Sequence, residues 1–133
     1  MHRTLHPEGW AEPVGYANGV LAEGRQIYVA GQVGWSAAGR FESDDLVAQI
    51  RQALGNVVAV LRAGGAEPRH LVSMTWYFLD KREYLARLKE IGAVYRETLG
   101  RHYPAMAAVQ VSALMEDRAK VEIQAIAVLP PAP

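Results

Sequence analysis

Glu122 is the side chain whose setting in this sequence most favours acid–base chemistry. It lies in an alternating run typical of a β-strand, where it shares one face with Gln124. An upstream run places Gln110 and Ser112 on one face of another predicted strand. If the two strands pair, these four side chains form one polar surface. That surface is either the solvent-facing side of an antiparallel sheet or a cleft in which a carboxylate transfers protons.

Tyr16 is the second candidate for chemistry. It stands two residues before Asn18-Gly19, a pair typical of a turn, which would place its phenol at the edge of a loop. The alternative is a core tyrosine whose hydroxyl group is hydrogen-bonded within the protein.

Composition excludes several classes of function for this chain of 133 residues. It has no cysteine, and its four histidines lack His-x-His spacing, so we expect no metal site and no thiolate chemistry. Fourteen basic and 14 acidic residues balance to zero, which argues against nucleic acid or an anionic membrane as a partner. No signal-peptide pattern or apolar run of about 20 residues is present, so we expect a cytoplasmic protein.

Two amphipathic helices are predicted from apolar residues that recur at three- and four-residue steps. The first is capped by Ser43 or Asp44 and ends at Gly64-Gly65. The second begins at Asp80, whose Asp-x-x-Glu spacing is that of a capping box, and ends before Gly100. The apolar stripes are Leu46, Ile50, Ala53, Leu54, Val57 and Leu61 in the first helix, and Tyr84, Leu88, Ile91, Tyr95 and Leu99 in the second.

Alternating and β-branched segments predict the strands. They are a pair at Gly15–Val20 and Gln26–Gly31, a central strand at Leu71–Leu79, and two strands within Pro104–Leu114 and Lys120–Leu129. This order predicts one α+β domain over residues 1–133, with a frayed tail at 129–133. We expect two layers, with two helices on one face of a mixed or antiparallel sheet. Self-association would bury the other face.

Short motifs along the chain resemble those of the RidA/YjgF family, the reactive-intermediate (enamine/imine) deaminases. They occur in family order over about residues 14–128. The motifs are Tyr16 with Gly19, Val29-Ala30-Gly31-Gln32, Gln49 with Ala53-Leu54 and Asn56-Val57, Gly64-Gly65-Ala66, Pro104-Ala105, and Val121-Glu122-Ile123 with Ala125-Ile126-Ala127. The resemblance implies a chorismate-mutase-like fold, a homotrimer with three small-molecule clefts between subunits, and catalysis without a metal or organic cofactor.

The resemblance also implies roles for individual residues. Family members of the best-known subgroup hydrolyse 2-aminoacrylate and related enamines or imines to 2-keto acids and ammonia. Glu122 matches a glutamate that positions water or carries a proton, and Tyr16 matches a tyrosine that shapes the pocket. The expected substrate contacts are Ala30, Gly31, Ala105, Met106 and Gln110.

Position 106 departs from the family pattern. The family's Pro-Ala-Arg is Pro104-Ala105-Met106 here, and a thioether cannot form the charged fork that an arginine makes with a carboxylate. The family's Ser-Gly-Gln is Ala30-Gly31-Gln32, and a family asparagine falls at Gly92. Either Arg101 or His102 receives the carboxylate instead, or the ligand is less acidic and the methionine meets an apolar part of it. We favour the second.

Three functions therefore remain open on the sequence. The first is hydrolytic deamination of an enamine or imine other than 2-aminoacrylate, with Glu122 handling the proton and water while Tyr16 and Gln110 orient the substrate. The second is a non-catalytic protein that binds a small ligand in the same clefts. The third is RNA binding or cleavage, a label that some relatives carry, which the balanced charge and the lack of an aromatic-basic stripe oppose.

Overall fold

A computed structural model describes residues 2–132 as a two-layer α+β domain, the architecture expected from the sequence. A four-stranded sheet forms one layer and the helices form the other. Along the chain the elements are β1 Arg3–Leu5, β2 Gly19–Leu21, β3 Arg25–Val33, α1 Leu46–Ala63, β4 Leu71–Phe78, α2 Lys81–Ala86, α3 Leu88–Leu99, β5 Ala105–Gln110 and β6 Val121–Leu129, with a 3-10 turn at Pro68–His70 before β4.

The strand order in the main sheet is β3-β6-β4-β5, and two expected strand pairs are wrong. β5 runs parallel to β4, and β6 lies on the other side of β4, antiparallel to it. The predicted pairing of the two C-terminal strands fails because the chain between Gln110 and Val121 is too long for a tight hairpin and carries β6 past β5. The predicted N-terminal pair fails too, since β2 pairs with β1 in a separate small sheet while β3 pairs with β6.

α1 forms where its apolar stripe was predicted, but its cap is Asp45 rather than Ser43 or Asp44. The Asp45 carboxylate accepts a hydrogen bond from the Ala48 N–H at 3.0 Å, which satisfies one of the free donors of the first turn. The helix ends at Gly64, as expected, and Gly65 adopts a positive φ of 81°. Its buried side chains are Leu46, Val47, Gln49, Ile50, Ala53, Leu54, Val57, Val58 and Leu61.

The second predicted helix is divided into α2 and α3 at Arg87. Asp80 caps α2 as predicted, accepting from the N–H groups of Arg82 and Glu83. At the junction the Arg87 guanidinium donates to Asp45 at 2.5 Å and to Glu90 at 2.8 Å, which links α3 to the start of α1. The hydrogen bond from Arg87 lowers the pKa of Asp45 below its usual range.

The two faces of the sheet differ in what lies against them. On the covered face, the helices bury apolar side chains from all four strands: Val29, Met74, Trp76, Val121, Ile123, Ala125, Ala127 and Leu129, with Met106 packed against them. Cross-strand register places the other set of side chains on the open face. These are Tyr28, Ser73, Thr75, Tyr77, Ala105, Ala107, Val109, Glu122, Gln124 and Ile126, and each is half-buried or exposed.

None of the helices within residues 2–132 has the length and apolar character needed to cross a bilayer. The cytoplasmic location expected from the sequence stays a prediction.

Candidate functional site

A cavity of about 540 Å³ lies at the covered side of the β4–β5 edge, under α2 and α3. The segment Val14–Tyr16 closes one side of it. The lining consists of Val14, Gly15, Tyr16, Trp76, Tyr84, Leu88, Ile91, Gly92, Tyr95, Arg96, Tyr103, Met106 and Ala108. Volume and lining suit a small organic ligand, since such sites are mostly apolar clefts of roughly 300–1,000 Å³. We call this the aromatic cavity.

Stacked rings build the wall of the aromatic cavity. Trp76 lies 6.3 Å from Tyr95 in a stacked arrangement and 6.5 Å from Tyr84 edge-to-face. Tyr95 stacks in turn on Tyr103 at 5.1 Å, and its hydroxyl donates to the His102 carbonyl at 2.6 Å. Burial raises the pKa of both Tyr84 and Tyr95, so these phenols stay neutral at ordinary pH. The wall is therefore rigid, apolar and uncharged.

Met106 and Tyr16 both line this cavity. Met106 stands opposite Met74 in the β4–β5 register and packs against the core, so its thioether belongs to the covered face. Tyr16 lies at the free edge of β5, because its neighbour Ala17 bridges Ala105. Tyr16, Ala105 and Met106 also border a shallower depression of about 270 Å³ at the same end of β5. The structure thus brings three of the predicted site residues together.

Glu122 lies elsewhere, on the open face, and forms a second group with Gly31. In register it stands between Val33 and Tyr77, and it is half-buried. A Cβ placed on Gly31 would lie 2.5 Å from a Glu122 carboxylate oxygen, so the glycine leaves the space that the carboxylate occupies. Ala30 is beside Gly31 in the irregular part of β3. Within residues 2–132 no cation forms a salt bridge with Glu122.

Gln110 does not belong to either group, and the expectation that it shares a surface with Glu122 is wrong. It stands opposite Phe78, at the end of β5 and on the covered side of the sheet. Its side-chain oxygen accepts a hydrogen bond of 2.7 Å from the Lys81 N–H, the first residue of α2. Ser112 lies beyond the end of β5. The error follows from the strand order, because β4 separates β5 from β6.

One chain does not bring Tyr16 and Glu122 to the same small ligand. Tyr77 on β4 pairs with Glu122 on one side and with Val109 of β5 on the other. Ala105, which lies beside the Tyr16 segment, precedes Val109 by four residues on β5. Four strand residues and two strand spacings separate the Cα atoms of Ala105 and Glu122 by about 16 Å. The tyrosine and the glutamate therefore lie in two separate groups on each chain.

The sequence did not predict the roles of Trp76, Tyr84, Tyr95, Tyr103 and Arg96 in this cavity. Of these residues, the sequence placed Tyr84 and Tyr95 only in the apolar stripe of the second helix. One face of α2 and α3 lines the cavity with Tyr84, Leu88, Ile91, Gly92, Tyr95 and Arg96. The sequence shows that these residues recur at helical spacing, but it does not show which strand they face, so the spacing alone could not predict a cavity. In the part of the chain from residue 2 to 132, no cluster of three potential metal ligands is present.

Comparison with known proteins gives consistent matches over nearly the whole chain. A family model described as endoribonuclease L-PSP matches residues 11–129. A 2-iminobutanoate/2-iminopropanoate deaminase from Capra hircus is 35% identical over 117 residues, which cover 87% of this chain and 81% of that protein. A RutC family protein from Pyrococcus horikoshii is 32% identical over 128 residues, which cover 96% of this chain and 98% of that protein.

Solved structures agree with the sequence matches. A protein of the conserved Rid family from Yersinia pestis, whose function is unknown, has a TM-score of 0.86 at 32% identity and covers 96% of this chain and 98% of its own. The chorismate-mutase-like α+β fold expected from the sequence is confirmed by this similarity.

Proposed function

Because the chain belongs to the RidA/YjgF family, whose model matches residues 11–129, we propose that it hydrolyses an enamine or imine to a carbonyl compound and ammonia. The observation that carries the proposal is the setting of Glu122. Its carboxylate is half-buried on the sheet, lies in the space left by Gly31, and has no cationic partner within residues 2–132. A carboxylate held in this way is available to take and return a proton.

The reaction needs water and one proton carrier. Water adds to the carbon of the C=N bond, and Glu122 accepts the proton that the water loses. The same carboxyl group donates that proton to the nitrogen, which gives a carbinolamine. It then carries the hydroxyl proton to the nitrogen as well, so that the C–N bond breaks and ammonia leaves as the C=O bond forms. No oxidant or reductant is consumed, and the proposal includes no metal or organic cofactor.

We place the complete site between two copies of the chain, in a homotrimer. The support is geometric: Glu122 lies about 16 Å from Ala105, the β5 residue next to the Tyr16 segment, which is beyond the reach of one small substrate. The open face also exposes Tyr28 (69%) and Val109 (41%), apolar surface that a second copy would bury. In the trimer, the Tyr16 and Met106 half-site of one copy would face the Glu122 and Gly31 half-site of the next.

Light scattering coupled to size-exclusion chromatography tests the assembly. We expect three copies per particle, and a charge placed at the exposed Ala107 on the open face (Ala107→Glu) should dissociate them. Val60→Glu, on the outer surface of α1, is the matched control that should leave the trimer intact. A trimer that persists in Ala107→Glu at low protein concentration would contradict an interface on the open face.

The substrate in this proposal is not 2-aminoacrylate itself. Met106 lines the cavity with a thioether where the family uses an arginine, so it contacts an apolar part of the ligand. Candidate imines generated in situ by an amino-acid oxidase allow ammonia and keto-acid release to be followed with and without the protein. A substrate is identified by a rate that the protein accelerates over the spontaneous hydrolysis.

Glu122→Gln is the variant that decides the catalytic assignment. We expect a loss of about 100-fold or more in kcat/KM, the usual contribution of a positioned acid–base group. Gly31→Ala should also lower the rate, because the new methyl group would displace the carboxylate. Glu23→Gln, an exposed acid in the turn before β3, is the control that should keep full activity. Unchanged rates in Glu122→Gln would exclude the role assigned to it.

A non-catalytic ligand-binding protein is the second candidate, and Met106 is the observation that favours it. Met106→Arg separates the two. If this variant gains 2-aminoacrylate hydrolysis, the catalytic half-site is intact and the chain is an enzyme with a changed specificity. If no imine is turned over by either protein while metabolites still raise the melting temperature, binding alone is the function.

The proposal includes no nucleic acid and no membrane as a partner, although the description of the matching family model names an endoribonuclease. Formal charge is zero, and affinity for RNA depends mainly on surplus cations. Filter binding of single-stranded RNA over a salt series should show no retention. Tight retention that falls steeply with salt would favour a nucleic-acid function instead.

A further inference from the structure

Arg96 gives the aromatic cavity a cation that the sequence motifs do not reveal. It lies on α3 and is the one charged side chain among the described residues that line the cavity. No acidic side chain within residues 2–132 forms a salt bridge with it. An unpaired guanidinium at the edge of an apolar cavity is suited to a bidentate contact with a carboxylate.

Gly92 gives the Arg96 guanidinium its position. The two residues are one turn apart on α3, and a Cβ placed on Gly92 would lie 3.2 Å from an Arg96 guanidinium nitrogen. That separation is tighter than an ordinary contact, so a larger residue at 92 would displace the guanidinium. Glycine at this position therefore allows Arg96 to lie along the helix at the cavity.

Trp76 is the most deeply buried aromatic side chain in the wall of the cavity. Its indole is 1% exposed and lines the cavity, yet the ring N–H has no hydrogen-bond partner in the part of the chain that the structure describes. A buried donor without an acceptor is costly, by about 1–3 kcal/mol, and is rarely left so in a folded protein. The ring nitrogen is itself fully buried and is not presented to the cavity, so Trp76 meets a ligand only through its apolar ring surface.

We infer that the aromatic cavity binds a carboxylic acid with an aromatic side chain, whose carboxylate is held by Arg96 and whose ring lies among Trp76, Tyr84, Tyr95 and Met106. This inference rests on the proposed function for its reaction, where the substrate becomes the imino or enamine form of such an acid. The three aromatic side chains among these bind a flat ring by stacking and edge contacts.

This assignment differs from both alternatives that the sequence left open at position 106. Arg101 is exposed, His102 donates through Nε2 to the Leu71 carbonyl at 2.7 Å, and neither lines the cavity. Met106 meets the apolar part of the ligand, as the sequence favoured. The ligand nevertheless carries a carboxylate, because the cation comes from the opposite wall of the cavity.

Binding of stable carboxylates to the full-length protein tests the site without relying on turnover. 3-Phenylpropanoate carries both ring and carboxylate, 3-phenylpropanamide lacks the charge, and propanoate lacks the ring. By calorimetry we expect the first to bind about tenfold or more tightly than either of the others, with an affinity that falls as salt rises. Equal affinity for the amide, or no binding of 3-phenylpropanoate, would overturn the inference.

Substitutions at two arginines locate the cation. Arg96→Gln should weaken 3-phenylpropanoate about tenfold and leave 3-phenylpropanamide unchanged, while Arg96→Lys retains part of the affinity. Arg101→Gln is the matched control and should bind as the parent protein does. Full affinity in Arg96→Gln, with circular dichroism showing that it is folded, would exclude Arg96.

Turnover separates this inference from the proposed function. The imino acid made from phenylalanine by an amino-acid oxidase serves as substrate. Deamination that depends on Glu122 but has an unchanged KM in Arg96→Gln would overturn the carboxylate site and leave the function standing. Arg96-dependent binding of 3-phenylpropanoate without accelerated deamination would overturn the function and leave the site standing.

Discussion

The covered and open faces of the same sheet carry different kinds of chemistry. The covered face encloses an aromatic cavity of about 540 Å³ with one arginine at its edge. The open face carries Glu122, Gln124 and Tyr77, of which Tyr77 donates to Gln124 at 3.2 Å. The covered face can therefore bind an apolar ligand within a single chain, whereas the open face carries the Glu122 carboxylate outside any enclosed cavity of that chain.

The contrast follows from what the helices can and cannot cover. α1 and α3 pack against each other and α1 lies over β3 and β6, so the apolar face of the sheet is buried by the chain itself. The alternate side chains of the same strands point away from the helices and keep their polar groups accessible. A site that needs both faces must be completed by another copy, which is why the proposed assembly and the proposed chemistry depend on each other.

The largest expected effect compares neighbours on β6. Ile123 is fully buried on the covered face, and Gln124 is exposed on the open face. Ile123→Ala should lower the free energy of unfolding by about 2–5 kcal/mol, since it removes buried methyl groups and leaves a cavity. Gln124→Ala should change it by less than about 0.5 kcal/mol in the single chain. Urea unfolding measures both.

Protein concentration sharpens the comparison. If a second copy covers the open face, the cost of Gln124→Ala will grow as the protein is concentrated, because association contributes to its stability. The cost of Ile123→Ala should keep its size. A large, concentration-independent loss in Gln124→Ala would mean that the open face is already packed within one chain.

The second prediction concerns the contact between β3 and α1. A Cβ on Gly34 would lie 2.6 Å from the Gln49 Cβ and 2.7 Å from its Cα, where the helix backbone cannot yield. Gly34→Ala should therefore cost about 1–3 kcal/mol. The strain would also disturb the buried Gln49 amide, which donates to the Ser43 and Arg118 carbonyls and accepts from the Lys120 N–H.

Gly55→Ala is the control for that substitution. Gly55 is also a glycine beside α1's buried stripe, but it is exposed and nothing lies within 4 Å of an added Cβ. Alanine there should stabilise the protein by about 0.5–1 kcal/mol through helix propensity. A destabilising Gly55→Ala, or a neutral Gly34→Ala, would contradict the close approach that we describe.

Local sequence patterns predicted the helices and strands well, whereas they did not predict which strands pair with each other. The stripe from Leu46 to Leu61 and the cap at Asp80 depend on neighbours in sequence, and the structure confirms both. The order of β5 and β6 depends on β4 lying between them, which no local pattern records. The segment between Gln110 and Val121 is longer than a hairpin turn, and this length was the one sequence feature that argued against direct pairing of β5 and β6.

The same limit applies to the candidate site. Tyr16, Met106 and Glu122 were found through motifs, and their division into two half-sites follows from strand order. Arg96 lies ten residues before Met106 in sequence, on a different element, and no motif marks it. Only the packing of α3 against the β4–β5 edge brings its guanidinium to the cavity.

The third prediction concerns pH and the buried histidine that precedes β4. His70 is 3% exposed, and its Nδ1 accepts the Glu67 N–H at 2.9 Å. Burial, with the nearby charge of Arg69, holds the pKa of His70 below its usual 6.5. The unfolded chain therefore binds a proton at a pH where the folded chain does not, so stability is complete above about 6.5 and falls as the pH is lowered.

Unfolding at one protein concentration, at about pH 7.5 and about pH 5.5, measures this loss. His70→Asn retains an oxygen acceptor but cannot titrate, so the difference between the two pH values should shrink. If the difference keeps its size in His70→Asn, other groups are responsible for it.

The smallest expected effect on stability is that of Gly92→Ala, a substitution that should change both the stability of α3 and the affinity of the cavity for its ligand. Alanine at an exposed helix interior gains up to about 1 kcal/mol, and the Cβ of Gly92→Ala meets only the flexible end of Arg96 at 3.2 Å. We therefore expect Gly92→Ala to be slightly more stable than the parent and to bind 3-phenylpropanoate several-fold more weakly. Gly55→Ala should gain stability without losing affinity. Since the two substitutions are chemically identical, a loss of affinity in Gly92→Ala alone would arise from displacement of the Arg96 guanidinium, and equal affinity in both would mean that the glycine does not position it.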